Sequence, residues 1–268
     1  MSRAGRYTEL LPAELEAILA ETLLAVIPWG ALEFHGPHLP LGLDGLVAEA
    51  FAARLVERTG GILFPATWWA VTTLPHQFSV QLPSEVIRTL FDALLTQLAE
   101  IGFQRIALIS GHYAHPHELL LIEAAEGALT RGLLVLAAPP LALLGDPALL
   151  DHAARWETSQ LLALRPDLVR LERLDALVGA SADPGVQPAE TAVLGADPRT
   201  TATPAAGEEI LAQALAAWER ALTALTPIGL GEFYRTRRAE YDPFVARYAA
   251  DGNWDAALDR WWAERTGT

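Results

Sequence analysis

Glu33 and His35 stand two positions apart at the end of an apolar run, with Asp44 a short turn further on. Two more clusters, Gly111-His112-Tyr113 and His152-Ala-Ala-Arg-Trp-Glu157, again set imidazole beside glycine or acid where apolar stretches end. With the neighbouring His38, His115 and His117, the three clusters take up six of the seven histidines. Histidines scattered through a core or over a surface would not gather in this way. The pattern reads as a metal site assembled from separate strand ends, and its mixture of nitrogen and carboxylate donors suits zinc, manganese or iron better than calcium.

In an extended segment Glu33 and His35 point to the same side. The stiff turn Gly36-Pro-His-Leu-Pro40 can bring Asp44 back towards them at the start of a helix. A carboxylate there has two oxygens and can bridge two cations, which would trap a water between them, lower its pKa and present hydroxide to a carbonyl carbon. The plain alternative is that Glu-x-His is a common surface pair, and that each histidine taken singly is a satisfied core or surface residue.

Hydrophobic spacing gives the elements that must hold these groups. Leu23 to Ile27, Gly61 to Phe64, Arg105 to Ile109 and Leu133 to Ala137 read as short buried strands. Pro12 to Glu21, Val47 to Arg58, Ser84 to Ile101, Glu118 to Thr130 and Ala205 to Leu225 read as helices, with Ser84 as a cap. The alternation predicts an α/β fold, a mostly parallel sheet flanked by helices on both faces, with its site where strands end. Ser181 to Pro204, rich in Ala, Pro, Gly and Thr, reads as loop folded over that site. Residues 1–227 are expected to form the catalytic domain. Residues 228–268 carry Phe233, Tyr234, Tyr241, Phe244, Trp254, Trp261 and Trp262 and read as a C-terminal helical extension: packing on its own domain, a lid or a subunit contact. Trp68-Trp69 reads as packing rather than a pocket lining. Asp146, Asp183, Asp197 and Asp242, each followed by proline, read as turn openers.

The 268 residues are 51% hydrophobic, enough for one large core. With 33 acidic and 19 basic residues the net charge of -14 would repel nucleic acid and anionic lipid. Cysteine is absent, which excludes disulfides, thiolate zinc sites and a cysteine nucleophile. Lysine is absent too, which excludes Schiff-base chemistry on a protein lysine and the P-loop. With neither signal peptide nor apolar span, the expectation is a cytoplasmic protein acting on a small molecule.

The stretch from Pro28 to Asp44, Pro-Trp-Gly-Ala-Leu-Glu-Phe-His-Gly-Pro-His-Leu-Pro-Leu-Gly-Leu-Asp, resembles the signature of the creatininase (creatinine amidohydrolase) family, Gly-Ser-x-Glu-x-His-Gly-Pro-His-Leu-Pro-Leu-Gly-Thr-Asp. The likeness recurs in order at Ser110-Gly111-His112, His152 to Ser159 and Gly195 to Gly207, covering about residues 23 to 215. The resemblance implies two divalent ions per chain, zinc or manganese, held by Glu33, His35, Asp44, His112 and Glu157, with Asp44 bridging. It assigns His152 to proton transfer at the leaving nitrogen. It further implies a homo-oligomer, dimer to hexamer, and hydrolysis of non-peptide C–N bonds in cyclic amides, imides or formamides. Two alternatives stand beside it. Some relatives trim peptides in a cofactor-maturation pathway, and a non-catalytic metal-binding assembly protein could keep the fold, although retention of His152 favours an enzyme.

Two departures bear on substrate. Relatives acting on creatinine follow Gly-His-Tyr with a metal-binding glutamate, where this chain has Ala114, so one ion is held more weakly, or His115, His117 or the substrate completes its shell. Phe78-Ser-Val-Gln81 replaces the usual Phe-Pro-Gly-Thr, which predicts an altered pocket wall. Both point away from creatinine, towards a bulkier cyclic or acyl-amine substrate.

Overall fold

Two strands fix the frame. β2 (Leu24–Trp29) is buried along its whole length, and β4 (Arg105–Ser110) pairs with it in parallel from Leu24↔Arg105 to Trp29↔Ser110. The pair therefore ends at one level, and Gly111 N–H donates to the Trp29 carbonyl beyond it at 2.8 Å. The computed structural model describes residues 4–175 and 188–267. In it β1 (Ala4–Arg6), β3 (Gly61–Leu63) and β5 (Leu134–Ala138) complete a five-stranded parallel sheet in the order β1-β3-β2-β4-β5. Strand β1 pairs too briefly to leave a hydrophobic period and was not expected.

From β2 the chain runs through α2 (Leu43–Thr59) to β3 on one side, whereas β4 leads through α4 (His115–Leu129) to β5 on the other. With right-handed crossovers these opposite movements place α2 on one face, and α3 (Ser84–Ile101) and α4 on the other. The crevice between the carboxyl ends of β2 and β4 is thus the topological switch point, where open α/β sheets bind ligands. α5 (Arg155–Leu164) and α6 (Pro204–Thr223) pack on each other and on α2. In the core Trp29 meets Phe91 of α3, and Phe51 of α2 meets Trp218 of α6.

Helix boundaries departed from expectation at several ends. α2 begins at Leu43 and α4 at His115, earlier than apolar spacing indicates, because buried polar residues occupy their first turns. Pro83, not Ser84, is the N-cap of α3, and the Ser84 side chain makes no cap hydrogen bond. Asp146 and Asp197 do open turns by accepting from Ala148 and Arg199 N–H. Asp242-Pro243, in contrast, lies inside α7 (Pro227–Tyr248), and Asp183 lies outside the described residues.

α7 and α8 (Trp254–Thr266) form the expected helical extension, and they pack on the chain itself. Leu230 and Tyr234 enter the main core. The Tyr234 hydroxyl donates to the Val135 carbonyl and accepts from Ala137 N–H, satisfying polar groups on the free side of edge strand β5. No helix among the described residues is long and apolar enough to cross a membrane.

Candidate metal centre

The loop after β2 is pinned before it reaches the site. Glu33 N–H donates to the Leu41 carbonyl at 2.8 Å, Val80 N–H to the Leu32 carbonyl at 2.8 Å, and Phe34 N–H to Ser79 Oγ at 3.1 Å. Gly36 turns the chain at φ +73, where a Cβ would also lie 2.3 Å from the Thr191 carbonyl oxygen. A Cβ on Gly111 would lie 2.0 Å from the Asp44 carbonyl oxygen, so glycine is what lets the end of β4 meet the start of α2. These close approaches bring Glu33, His35, Asp44 and His112 into one buried group, and Glu157, in the first turn of α5, joins it.

Asp44 is the hub. Its Oδ1 lies 2.9 Å from His35 Nε2, and its Oδ2 lies 3.3 Å from His112 Nδ1. Glu33 Oε2 lies 2.9 Å from His112 Nδ1, and Glu157 Oε2 lies 3.7 Å from His35 Nε2. Two triads result, Glu33–Asp44–His112 and His35–Asp44–Glu157, each with its ligand atoms within 4.8 Å of one another and Asp44 common to both. A third grouping, Glu33–His35–His152, places His152 Nε2 3.8 Å from Glu33 Oε2.

Backbone groups aim each imidazole. His35 Nδ1 faces the Glu33 carbonyl at 3.1 Å, His112 Nε2 the Val71 carbonyl at 3.0 Å, and His152 Nδ1 the Ala192 carbonyl at 2.8 Å. A carbonyl accepts only from N–H, so in every neutral ring the other nitrogen turns a lone pair towards the carboxylates. The carboxylates are tied as well: Leu74 N–H donates to Glu33 Oε1 and Ala153 N–H to Glu157 Oε2, both at 2.5 Å. The described non-glycine residues with positive φ are Thr72, Ala153 and Ala192. Thr72 follows the carbonyl that holds His112, Ala153 carries the N–H on Glu157, and Ala192 carries the carbonyl that holds His152. Local strain is thus concentrated on the groups that orient this centre.

Three carboxylates and several lone pairs converging in a buried space demand positive charge. Burial alone would lower His35, but Asp44, Glu157 and Glu33 outweigh it and raise its pKa to about 10. His112 is likewise raised, against burial, by Glu33 and Asp44. Burial raises Glu157 to about 7, with Asp44 and Asp151 adding to it. Glu33 Oε2, both Asp44 oxygens, His35 Nε2 and His152 Nε2 are buried without an aligned hydrogen-bond partner among the described residues. Divalent cations would satisfy these orphaned atoms, and the nitrogen and oxygen donor set fits zinc or manganese.

A cavity of about 180 Å³ opens beside the group, lined by Glu33, His112, His152 and Glu157, by Tyr113, Ala114 and Leu194, and by Phe244, Leu258 and Trp261 of the extension. Neither suggested substitute for the missing glutamate joins a triad. His115 stacks on Tyr241 at 4.3 Å, and His117 packs against the rings of Phe91 and His112. Phe78 to Gln81 do not line the cavity; Ser79 and Val80 instead brace the Glu33 segment from behind, which corrects the expected altered wall. Trp68 packs on Gly42 and Gly45, as expected, whereas Trp69 is exposed, against the expectation for the pair. Of the segment expected to cover the site, residues 181–187 lie outside the described residues, while His152 bridges to Leu194 and hydrogen-bonds to Ala192. Sequence reading missed Val71, Leu74, Ala153 and Ala192, because backbone groups serve whatever the side chain.

The family profile described as creatinine amidohydrolase matches residues 8–222. Creatinine amidohydrolase from Pseudomonas putida is 28% identical over 202 residues, 65% of this chain and 77% of that protein. Mycofactocin precursor peptide peptidase from Mycobacterium tuberculosis (strain CDC 1551 / Oshkosh) is 34% identical over 215 residues, 70% of this chain and 79% of that protein. The crystal structure of creatinine amidohydrolase superposes with a TM-score of 0.70 at 26% identity, covering 84% of this chain and 100% of its own. Other solved creatininases, 25% identical, are described as a manganese form and a zinc–zinc form.

Proposed function

The chain belongs to the creatininase family, and from that premise we propose that it hydrolyses a non-peptide C–N bond, in a cyclic amide, imide or formamide, with two divalent ions per chain. The observation that carries this reading is the pair of triads sharing Asp44, with both imidazoles fixed by a backbone carbonyl and with Glu33 Oε2 and both Asp44 oxygens short of partners. Glu33, Asp44 and His112 would hold one ion, and His35, Asp44 and Glu157 the other. Bound there, a divalent ion supplies Lewis acidity to a carbonyl oxygen and acidifies water.

His152 completes the assignment. Its Nδ1 is committed to the Ala192 carbonyl, so only Nε2 faces the cavity. Against burial and the nearby His35 charge, Glu33 raises its pKa in the metal-free centre. An imidazolium so placed can give its Nε2 proton to a leaving nitrogen, which departs poorly as an anion.

The 34% identity to mycofactocin precursor peptide peptidase favours a second reading, trimming of a peptide by the same centre. A non-catalytic assembly role is less well supported, since holding a metal gives no reason to leave a histidine edge open to a cavity. A cytoplasmic homo-oligomer with residues 1–227 as catalytic domain and 228–268 as extension completes the proposal. The test is metal analysis of protein supplied with excess zinc or manganese, followed by turnover of hydantoin, formamides and short peptides. Two ions per chain and C–N cleavage are expected; folded protein that takes up no metal at any supply would refute the reading.

A further inference from the structure

One wall of the cavity comes from outside the family match, which ends at residue 222. Phe244 of α7 and Leu258 and Trp261 of α8 line the space that Glu33, His112 and His152 face. Every residue that the extension contributes to this lining is apolar, so an apolar wall stands in the same cavity as the acid and imidazole groups, with His115 edge-on to Phe244 beside it.

The wall is built as part of the site. Leu258 and Trp262 pack with Leu74 and Ala192, whose backbone groups hold Glu33 and His152. Arg237 of α7 makes two bonds to Glu118 of α4, at 2.7 and 2.9 Å, with both residues buried, and Tyr241 bonds to the same pair while His115 stacks on its ring. A contact surface fixed in this way loses little entropy when a ligand arrives.

We propose that Phe244, Leu258 and Trp261 form a specificity wall that selects amides carrying a flat apolar group, such as a phenyl ring, next to the scissile C–N bond. The assignment rests on the metal-dependent amidohydrolase reading above. A charged tail would be stripped of water against these three apolar side chains, none of which offers it a partner. The cavity, about 180 Å³, has the volume of about six waters and exceeds the ~150 Å³ in which a single benzene ring is held, so one flat ring can lie against the wall.

Paired hydroxamates separate the wall from the metal, because acetohydroxamate and phenylacetohydroxamate chelate divalent ions alike and differ in the ring. Calorimetry on zinc-loaded protein should find the phenyl compound tighter by roughly tenfold or more, the gain from burying one ring. Trp261→Ala should bring the two affinities to within about threefold with metal content unchanged, and Trp261→Phe should restore the difference. Leu258→Phe, which fills the cavity without deleting a contact, should weaken the phenyl compound and spare acetohydroxamate, so the test survives if Trp261→Ala fails to fold. In turnover, 5-benzylhydantoin should outrun hydantoin, or a peptide ending in phenylalanine one ending in glycine; either outcome supports the wall and identifies the source of the ring. Equal affinities in the unaltered protein, or a difference indifferent to Trp261 and Leu258, would overturn the wall and leave the metal reading standing. Failure of both hydroxamates to bind would remove the metal reading, and the wall with it.

Discussion

Replacing Arg237 by methionine should destabilise the protein more than any exposed ion-pair deletion. Glu118 is fully buried, and its carboxylate takes the two-pronged guanidinium and the Tyr241 hydroxyl. Methionine keeps much of the arginine volume, so the cost is that of a carboxylate left in the interior without its cation, about 3–5 kcal/mol. In a chain of this size that lowers the melting temperature by roughly 10 °C. Glu118→Gln in the same protein removes the stranded charge while leaving an acceptor for Tyr241, and should recover at least half of the loss. Urea and thermal unfolding of the two single variants and the double variant measure the coupling directly. A loss below about 1 kcal/mol for Arg237→Met, or a double variant no more stable than that single one, would show that the pair does not clamp α7 to α4. By contrast, Arg54–Glu208, on the surface, should contribute less than about 1 kcal/mol.

Asp44→Ala should abolish bound metal and turnover together, while His152→Ala should lower turnover by about 10²–10⁴-fold with metal retained. Equal metal loss in both variants would move His152 into the ligand set, as its grouping with Glu33 and His35 permits. Burial, with Arg237 and Arg265 nearby, lowers His115 from 6.5 to about 4. Because the folded pKa lies below the unfolded one, the stabilisation is complete above pH 6.5 and is lost as pH falls through about 4, some 3 kcal/mol in all. His115→Phe should therefore flatten the stability profile between those limits, and an unaltered slope would count against the assignment. Chelation of bound metal should lower the melting temperature, since metal at one hundred times its dissociation constant adds about 2.7 kcal/mol; identical melting with and without chelator would count against a metal coupled to the fold.

Much of this protein is written in local pattern. Four of the five strands, the parallel α/β class and the helical character of the tail follow from the spacing of apolar residues, because burial on one face or both imposes that spacing wherever the element lies. The acid and imidazole set Glu33, His35, Asp44, His112, His152 and Glu157 was legible for a related reason: few residue types can hold a divalent ion, and glycine must stand where backbones touch, as Gly111 does against Asp44. Tertiary structure alone decided which nitrogen of each ring is free, since the partners are carbonyls of Glu33, Val71 and Ala192 and a carbonyl carries no sequence mark. It also decided that Thr72, Ala153 and Ala192 take positive φ, which no threonine or alanine announces. The place of the aromatic tail was open for the same reason. An apolar stripe requires a partner surface without naming it, and only packing of Leu258 and Trp262 on Leu74 and Ala192 brings Trp261 to the cavity.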